Sequence, residues 1–147
     1  MAVTPERRPA LRVTRNPSEA LTFPGLSQSV RSGDFIFLSG QCSMDENGKV
    51  VGEDDPLAQA RQIFRNIESL LAAEGSTLAD IVKLVCFVIS PTVYQAYAQV
   101  KAELFPASGP AGTTVVVKAL LDPRFLLEVD ATAVRDGRPY RTAGHQE

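Results

Sequence analysis

Nine consecutive residues, Ile81 to Ile89 (IVKLVCFVI), set the strongest constraint on what this chain can fold into. The run is β-branched and nearly all apolar, which predicts a central strand covered on at least one face. Its cover is encoded on either side. Upstream, Asp55 is a good N-cap and Pro56 suits the first helical position. Leu57, Ala60, Ile63, Phe64, Ile67, Leu70 and Leu71 then recur at three- and four-residue steps, and Gly75 supplies the stop. Downstream, Ser90-Pro91 repeats the cap-plus-proline signal. Val93, Tyr94, Tyr97, Val100 and Leu104 form a second stripe that Pro106 terminates.

The remaining elements read as strands. Leu11 to Thr14 is a short first strand. Gln28 to Arg31 and Asp34 to Ser39 flank the Ser32-Gly33 turn and make a hairpin. Asp45 to Gly48 is a second turn. Thr113 to Lys118 and Phe125 to Val134 close the domain. In the last run Leu127, Val129, Ala131 and Ala133 alternate with Leu126, Glu128, Asp130 and Thr132, so the first set faces the helices. The resulting fold class is α+β, a mixed sheet with two helices packed on one face. Its other face carries Phe35 or Ile36, Leu84 or Val85, and Val116. That face is too apolar for water, and a homo-oligomer is the economical cover.

Composition removes several functions. The chain has 147 residues, one domain's worth, with a core at about 11–135 and polar tails at both ends. A net charge of −2 disfavours nucleic acid as a partner. No apolar run is long enough for a membrane span, and the N-terminus lacks the apolar stretch of a secretory signal, so the expected location is the cytoplasm. Cys42 and Cys86 are the two cysteines and His145 the one histidine. A Ser-His-Asp triad and a histidine-rich metal site are therefore not expected.

Several segments, in order, resemble one family. Ser27-Gln28-Ser29-Val30 and Gly33 through Ser39-Gly40-Gln41 come first. Gln59 to Ile67 and Ile81-Val82-Lys83 follow. Gly109 to Val115 and Leu127 to Val134 complete the pattern. These resemble the Rid proteins (reactive-intermediate deaminases, also called YjgF or endoribonuclease L-PSP) over roughly residues 23 to 135. The resemblance implies a chorismate-mutase-like fold, a homotrimer with clefts between subunits, and cofactor-free hydrolysis of an enamine or imine to a ketone and ammonia.

It also implies where the site lies. The family's catalytic glutamate matches Glu128 and its SGQ serine matches Ser39. The substrate-clamping arginine, which follows Pro-Ala, is replaced by Gly112. Leu26 stands where a tyrosine is usual, and Ala98 where a helix asparagine is usual. Loss of a guanidinium fork weakens carboxylate binding by orders of magnitude unless another cation enters, Arg124 and Lys118 being the candidates. A non-standard substrate follows.

Read from the residues themselves, Glu128 sits between apolar neighbours where a carboxylate is costly unless paired or at a wet cleft, as befits a general base. Gly40 permits close backbone approach, and amides of Ser39, Gly40 and Gln41 suit an oxyanion. Thr113 and Thr114 offer hydroxyls, with Thr114 the choice to share the face of Glu128. Leu26 and Gly112 make the cleft apolar and wide. Asp130 reads as a surface or interface charge. Cys42 has nothing to activate it. Three functions compete: a Rid-like hydrolase of a small metabolite, a metabolite-binding or regulatory trimer without turnover, and an endoribonuclease, which an acidic chain fits poorly.

Overall fold

A computed structural model describes residues 12–16 and 18–137. Arg7, Arg8, Leu11 and His145 lie outside them. Six strands form one sheet: β1 (Arg12–Arg15), β2 (Ser29–Ser32), β3 (Phe35–Leu38), β4 (Ile81–Val88), β5 (Ala111–Val116) and β6 (Leu127–Val134). Their spatial order is β1-β2-β3-β6-β4-β5. Every neighbouring pair is antiparallel except β4 and β5, which run parallel. Helix α1 (Pro56–Ala73) precedes β4, and α2 (Pro91–Leu104) makes the crossover from β4 to β5.

Both helices begin as their sequences dictate. The Asp55 carboxylate accepts from the Ala58 N–H, and the Ser90 hydroxyl accepts from the Val93 N–H. Such a cap is worth about 1 kcal/mol. The stripe Ala60, Ile63, Phe64, Ile67, Leu70 and Leu71 is buried against Ile36, Leu84, Cys86, Leu127, Val129, Ala131 and Ala133. Each such large side chain contributes roughly 1.5–3 kcal/mol on burial. The alternation of β6 is realised without a break from Leu127 to Val134. In α2 only part of the stripe is covered: Val93, Tyr97 and Val100 are buried, whereas Tyr94 and Leu104 remain substantially exposed.

The first three strands differ from expectation by one residue at their ends, and β5 and β6 by two. β5 runs over 111–116, not 113–118, because its ladder follows β4, from Lys83 opposite Ala111 to Val88 opposite Val116. β6 starts at Leu127, two residues late. The Phe125 N–H is held in a turn by the Asp122 carbonyl, and the Leu126 N–H goes to the Gln59 side chain. A short 3₁₀ turn, Leu78–Asp80, was not foreseen; a Thr77/Asp80 capping box closes it.

Two buried polar residues fasten the layers. Gln59 is fully buried and donates to the carbonyls of Gly52 (3.0 Å) and Arg124 (2.8 Å) while accepting from the Leu126 N–H (2.9 Å). It joins α1 to the segment that launches β6. Glu74, just past α1, is buried and meets Arg15 at 2.8 Å, Arg31 at 3.4 Å and the Ser29 hydroxyl at 3.1 Å. This clamps β1 and β2 to the helix end.

The sheet face away from the helices is open. Phe35 and Phe37 stack on it at 6.1 Å and are 49% and 47% exposed. Val82 and Val115 are exposed there too. Among the described residues no helix is long and apolar enough to cross a membrane.

Gln59→Leu should destabilise the fold by about 3 kcal/mol, since it orphans two carbonyls and one N–H at roughly 1–3 kcal/mol for each buried group. Urea unfolding monitored by circular dichroism measures this. A change below 1 kcal/mol would show that the amide does not fasten β6.

Candidate functional site

The alternation of β6 puts Leu127 and Val129 into the core, and the same two-residue period turns Glu128 to the open face. There Glu128 lines a small pocket of about 170 Å³ together with Leu26, Ser39, Gly40, Gln41 and Cys42. The 39–42 segment is held against β6 by a reciprocal pair of backbone hydrogen bonds between Gln41 and Val129 (2.7 and 3.0 Å). From the helix side, the Asn66 amide donates to the carbonyls of Cys42 (3.2 Å) and Met44 (2.9 Å).

Gly40 is required by close approach. A Cβ there would overlap the Glu128 Oε1 atom, so only glycine lets the carboxylate lie against this backbone. The Ser39 hydroxyl donates to the Ser27 carbonyl at 2.6 Å, so its proton is engaged and its oxygen is left to accept. The buried Gln41 amide donates to Gln28 and to the Ser39 carbonyl, both at 3.0 Å. Its side chain builds the wall, and the expected cradle of three amides is reduced, because the Ser39 N–H donates to the Gln28 carbonyl (2.9 Å) and the Gln41 N–H to the Val129 carbonyl (2.7 Å).

Glu128 makes no ion pair among the described residues. Its one side-chain partner is the Cys42 thiol, which donates to Oε2 at 3.4 Å. Burial pushes the Cys42 thiol well above its ordinary range, and the adjacent Glu128 charge and hydrogen bond push it further. The thiol is therefore a fixed proton donor, not a nucleophile. Nothing in the sequence brought Cys42 to Glu128; the two are 86 residues apart. On the same open face, burial raises the Asp130 carboxyl, with Lys83 acting in the opposite direction.

The other predicted residues lie elsewhere. Glu128 pairs with Phe87 on β4, which pairs with Val115 on β5, so β5 stands two strand spacings away, roughly 10 Å. One protomer therefore holds Leu26, Ser39, Gly40, Gln41 and Glu128 together, and Gly112, Thr113 and Thr114 apart on an exposed edge strand. Within one protomer the two threonines face opposite ways. Thr113 shares its row with Val85 and Asp130, on the face of Glu128, and accepts from Lys83 Nζ at 2.9 Å. Thr114 shares the helix-side row of Cys86 and Val129. The register of three strands decides this, and sequence parity within one strand does not reach it.

Neither candidate for a replacement cation is placed to serve. Arg124 is bound by Asp122 (2.7 Å) and approached by Glu53 (3.6 Å), and its hydrogen bond holds the Asp122 carboxyl down to about 2. Lys118 lies beyond the end of β5, where strand parity with Gly112 no longer applies.

The profile of the family described as Endoribonuclease L-PSP matches residues 18–135. The chain belongs to the Rid/YjgF family. A RutC family protein of Pyrococcus horikoshii is 32% identical over 111 residues, covering 75% of this chain and 86% of that one. The 3-aminoacrylate deaminase RutC of Acinetobacter baylyi is 32% identical over 105 residues, covering 71% and 82%. Among solved structures, a YjgF/YER057c/UK114 family member of Mycobacterium tuberculosis superposes with a TM-score of 0.72 at 30% identity, covering 84% of this chain and 99% of that one. Yeast Mmf1 gives 0.76 at 26% identity, covering 86% and 100%. The α+β architecture read from the sequence is thus the YjgF-type fold.

Within this Rid-family fold a larger hollow of about 430 Å³ lies between α1 and the 45–47 turn, but Glu128 is not part of it. Several of its amides are engaged with each other, Gln28 with Gln41 and Gln62 with Asn66. No group of three or more His, Cys, Asp or Glu among the described residues could hold a metal ion.

Glu128→Gln should make Cys42 more reactive toward iodoacetamide at pH 8. A neighbouring negative charge raises a thiol pKa, so removing it lowers the pKa and increases the thiolate fraction. The thiol stays slower than free cysteine because burial is the larger cause. Gly40→Ala should act in the same direction by displacing the carboxylate, with Tm nearly unchanged, since the overlap is with a flexible side-chain end. Unaltered alkylation in both variants would show that the thiol and carboxylate do not interact.

Proposed function

We propose that this protein is a Rid-type hydrolase that converts an enamine or imine of a small metabolite to a ketone and ammonia, in clefts formed between subunits of a homotrimer. The observation that carries this is the Glu128 carboxylate, seated against Gly40 in a half-buried pocket with no cation to neutralise it. Its likeness to a family with a 3-aminoacrylate deaminase among its members supports the reaction class.

Glu128 takes a proton from a water molecule as the water oxygen attacks the C=N carbon. An enamine is first protonated at carbon to reach that imine. Glu128 returns the proton taken from water to the nitrogen, giving the carbinolamine, and then carries the hydroxyl proton to the amino nitrogen, which leaves as ammonia as the C–N bond breaks and the C=O bond of the ketone forms. The Cys42 thiol keeps one carboxylate oxygen aligned and leaves the other for water. The Ser39 and Gln41 N–H groups are spent on the Gln28 and Val129 carbonyls, so the Gly40 N–H is the amide of this segment suited to the polar end of the substrate. No cofactor is needed for this sequence of steps.

The trimer is proposed for two reasons. The open sheet face exposes Phe35, Phe37, Val82 and Val115, more contiguous apolar surface than a monomer ordinarily shows. The Glu128 pocket and the β5 edge with Gly112, Thr113 and Thr114 make one cleft only when a neighbouring copy supplies one of them. Gly112, standing where the family's clamping arginine is usual, makes the substrate a non-standard one for the family. The second reading, a metabolite-binding trimer without turnover, is favoured by the altered residues Leu26, Ala98 and Gly112. Ribonuclease activity is not proposed, because the chain carries net negative charge.

A 2-imino acid generated in situ from an amino acid tests this, with ketone and ammonia release as readouts. Glu128→Gln is expected to lower the rate about 10²–10⁴-fold, the usual worth of a general base. Absence of any acceleration over buffer by the wild type would overturn the hydrolase reading, and saturable ligand binding without product would establish the binding module.

A further inference from the structure

The hollow of about 430 Å³ between α1 and the 45–47 turn has no part in the chemistry described above. Its size is that of a small-molecule site. Its two walls carry opposite charge. Helix α1 brings the Arg65 guanidinium, and the turn brings the Asp45 and Glu46 carboxylates. These charges do not pair. Among the described residues Arg65 makes no ion pair or hydrogen bond, and neither carboxylate meets a cation. Asp45 is nonetheless held in place. One of its oxygens accepts the Asn47 N–H at 2.9 Å and the Lys49 N–H at 3.0 Å, which leaves the other oxygen to a ligand.

The lining between the walls adds acceptors. Gln41 is only 5% exposed. Its NH₂ group donates to Gln28 and to the Ser39 carbonyl, while its side-chain carbonyl accepts nothing among the described residues. Gln62 on α1 repeats the pattern. Its NH₂ group donates to Asn66 (2.8 Å) and to the Met44 carbonyl (3.4 Å), and its carbonyl is left without a donor. A buried acceptor without a donor is costly, and a ligand N–H recovers that cost. Each feature selects one part of a ligand. Two carboxylates and two amide carbonyls match a group with several N–H donors, an ammonium above all. The guanidinium matches a carboxylate, which its planar fork meets with two parallel hydrogen bonds. A simple anion would be repelled by the turn, and a simple cation by Arg65. A hollow that keeps opposite charges apart suits a molecule that carries both.

We infer that this hollow is a second small-molecule site, and that it binds a free α-amino acid, with the ammonium toward Asp45 and Glu46 and the carboxylate on Arg65. Leu21 and Leu70 supply apolar surface for the side chain of the ligand. The site is distinct from the Glu128 pocket, since Glu128 and Gly40 line that pocket and not this hollow. The two spaces share the buried Gln28–Gln41 pair as a wall, so they are neighbours with separate sets of ligand-binding groups. The inference does not rest on the hydrolase reading.

The test is calorimetry on the full-length protein with L-alanine, L-leucine and L-glutamine as probes. At least one is expected to bind saturably. The amino acid that binds is then compared with the amine and the acid that each keep only one of its charges, and both should bind about tenfold more weakly or worse. Arg65→Gln and the double variant Asp45→Asn, Glu46→Gln should each weaken the amino acid by a similar factor. Arg65 and Glu46 are exposed, and asparagine at 45 keeps an oxygen for the two turn N–H groups, so the fold is preserved. Glu128→Gln should leave the affinity unchanged. Binding lost in Glu128→Gln and kept in Arg65→Gln would overturn the inference by placing the ligand in the Glu128 pocket. Equal affinity for the amino acid and for its one-charge counterparts would overturn the role of the opposed walls. No saturable binding of any of the three probes would overturn the site altogether. None of these results bears on the hydrolase reading, which ammonia release from the imino acid decides separately.

Discussion

The two-residue period of β6, combined with its central place in the sheet, is the constraint from which the rest of the structure follows. β6 lies between β3 and β4, so its backbone groups are paired on both sides. Leu127, Val129, Ala131 and Ala133 must then enter the helical layer together, and Glu128 and Asp130 must face away from it. A slip of one residue would drive both carboxylates into the core. Gln59 prevents that slip by taking the Leu126 N–H immediately ahead of the strand. The same amide that anchors α1 therefore fixes the position of the Glu128 carboxylate.

A sheet covered by helices on one face leaves the other face to be managed. Here that face is partly aromatic and partly charged. Phe35 and Phe37 belong to it, as do the Lys83–Thr113 hydrogen bond and the Asp130 carboxyl. The mixture differs from that of a core, which would exclude the charges, and from that of a wet surface, which would exclude the phenylalanines. Such a mixture is the composition found where one protein surface meets another.

The pocket works by what it omits. Gly40 has no side chain, so the carboxylate of Glu128 can lie against backbone. Among the described residues no cation pairs with that carboxylate. The side-chain partner it has, the Cys42 thiol, is kept protonated by burial and by the carboxylate itself.

Local signals determined the elements of this protein. The caps at Asp55 and Ser90, the stripe of α1, the apolar run of β4 and the alternation of β6 each depend on residues a few positions apart, which is the range over which backbone periodicity acts. The ordered motifs identified the family, and with it Glu128 and Ser39 as candidate site residues. The sequence by itself could not place β6 between β3 and β4, give Thr113 rather than Thr114 the face of Glu128, or bring Cys42 to Glu128 across 86 residues. Those are consequences of strand order and register. They are decided by contacts between segments distant in the chain, where no local period carries information, and only the tertiary structure contains them.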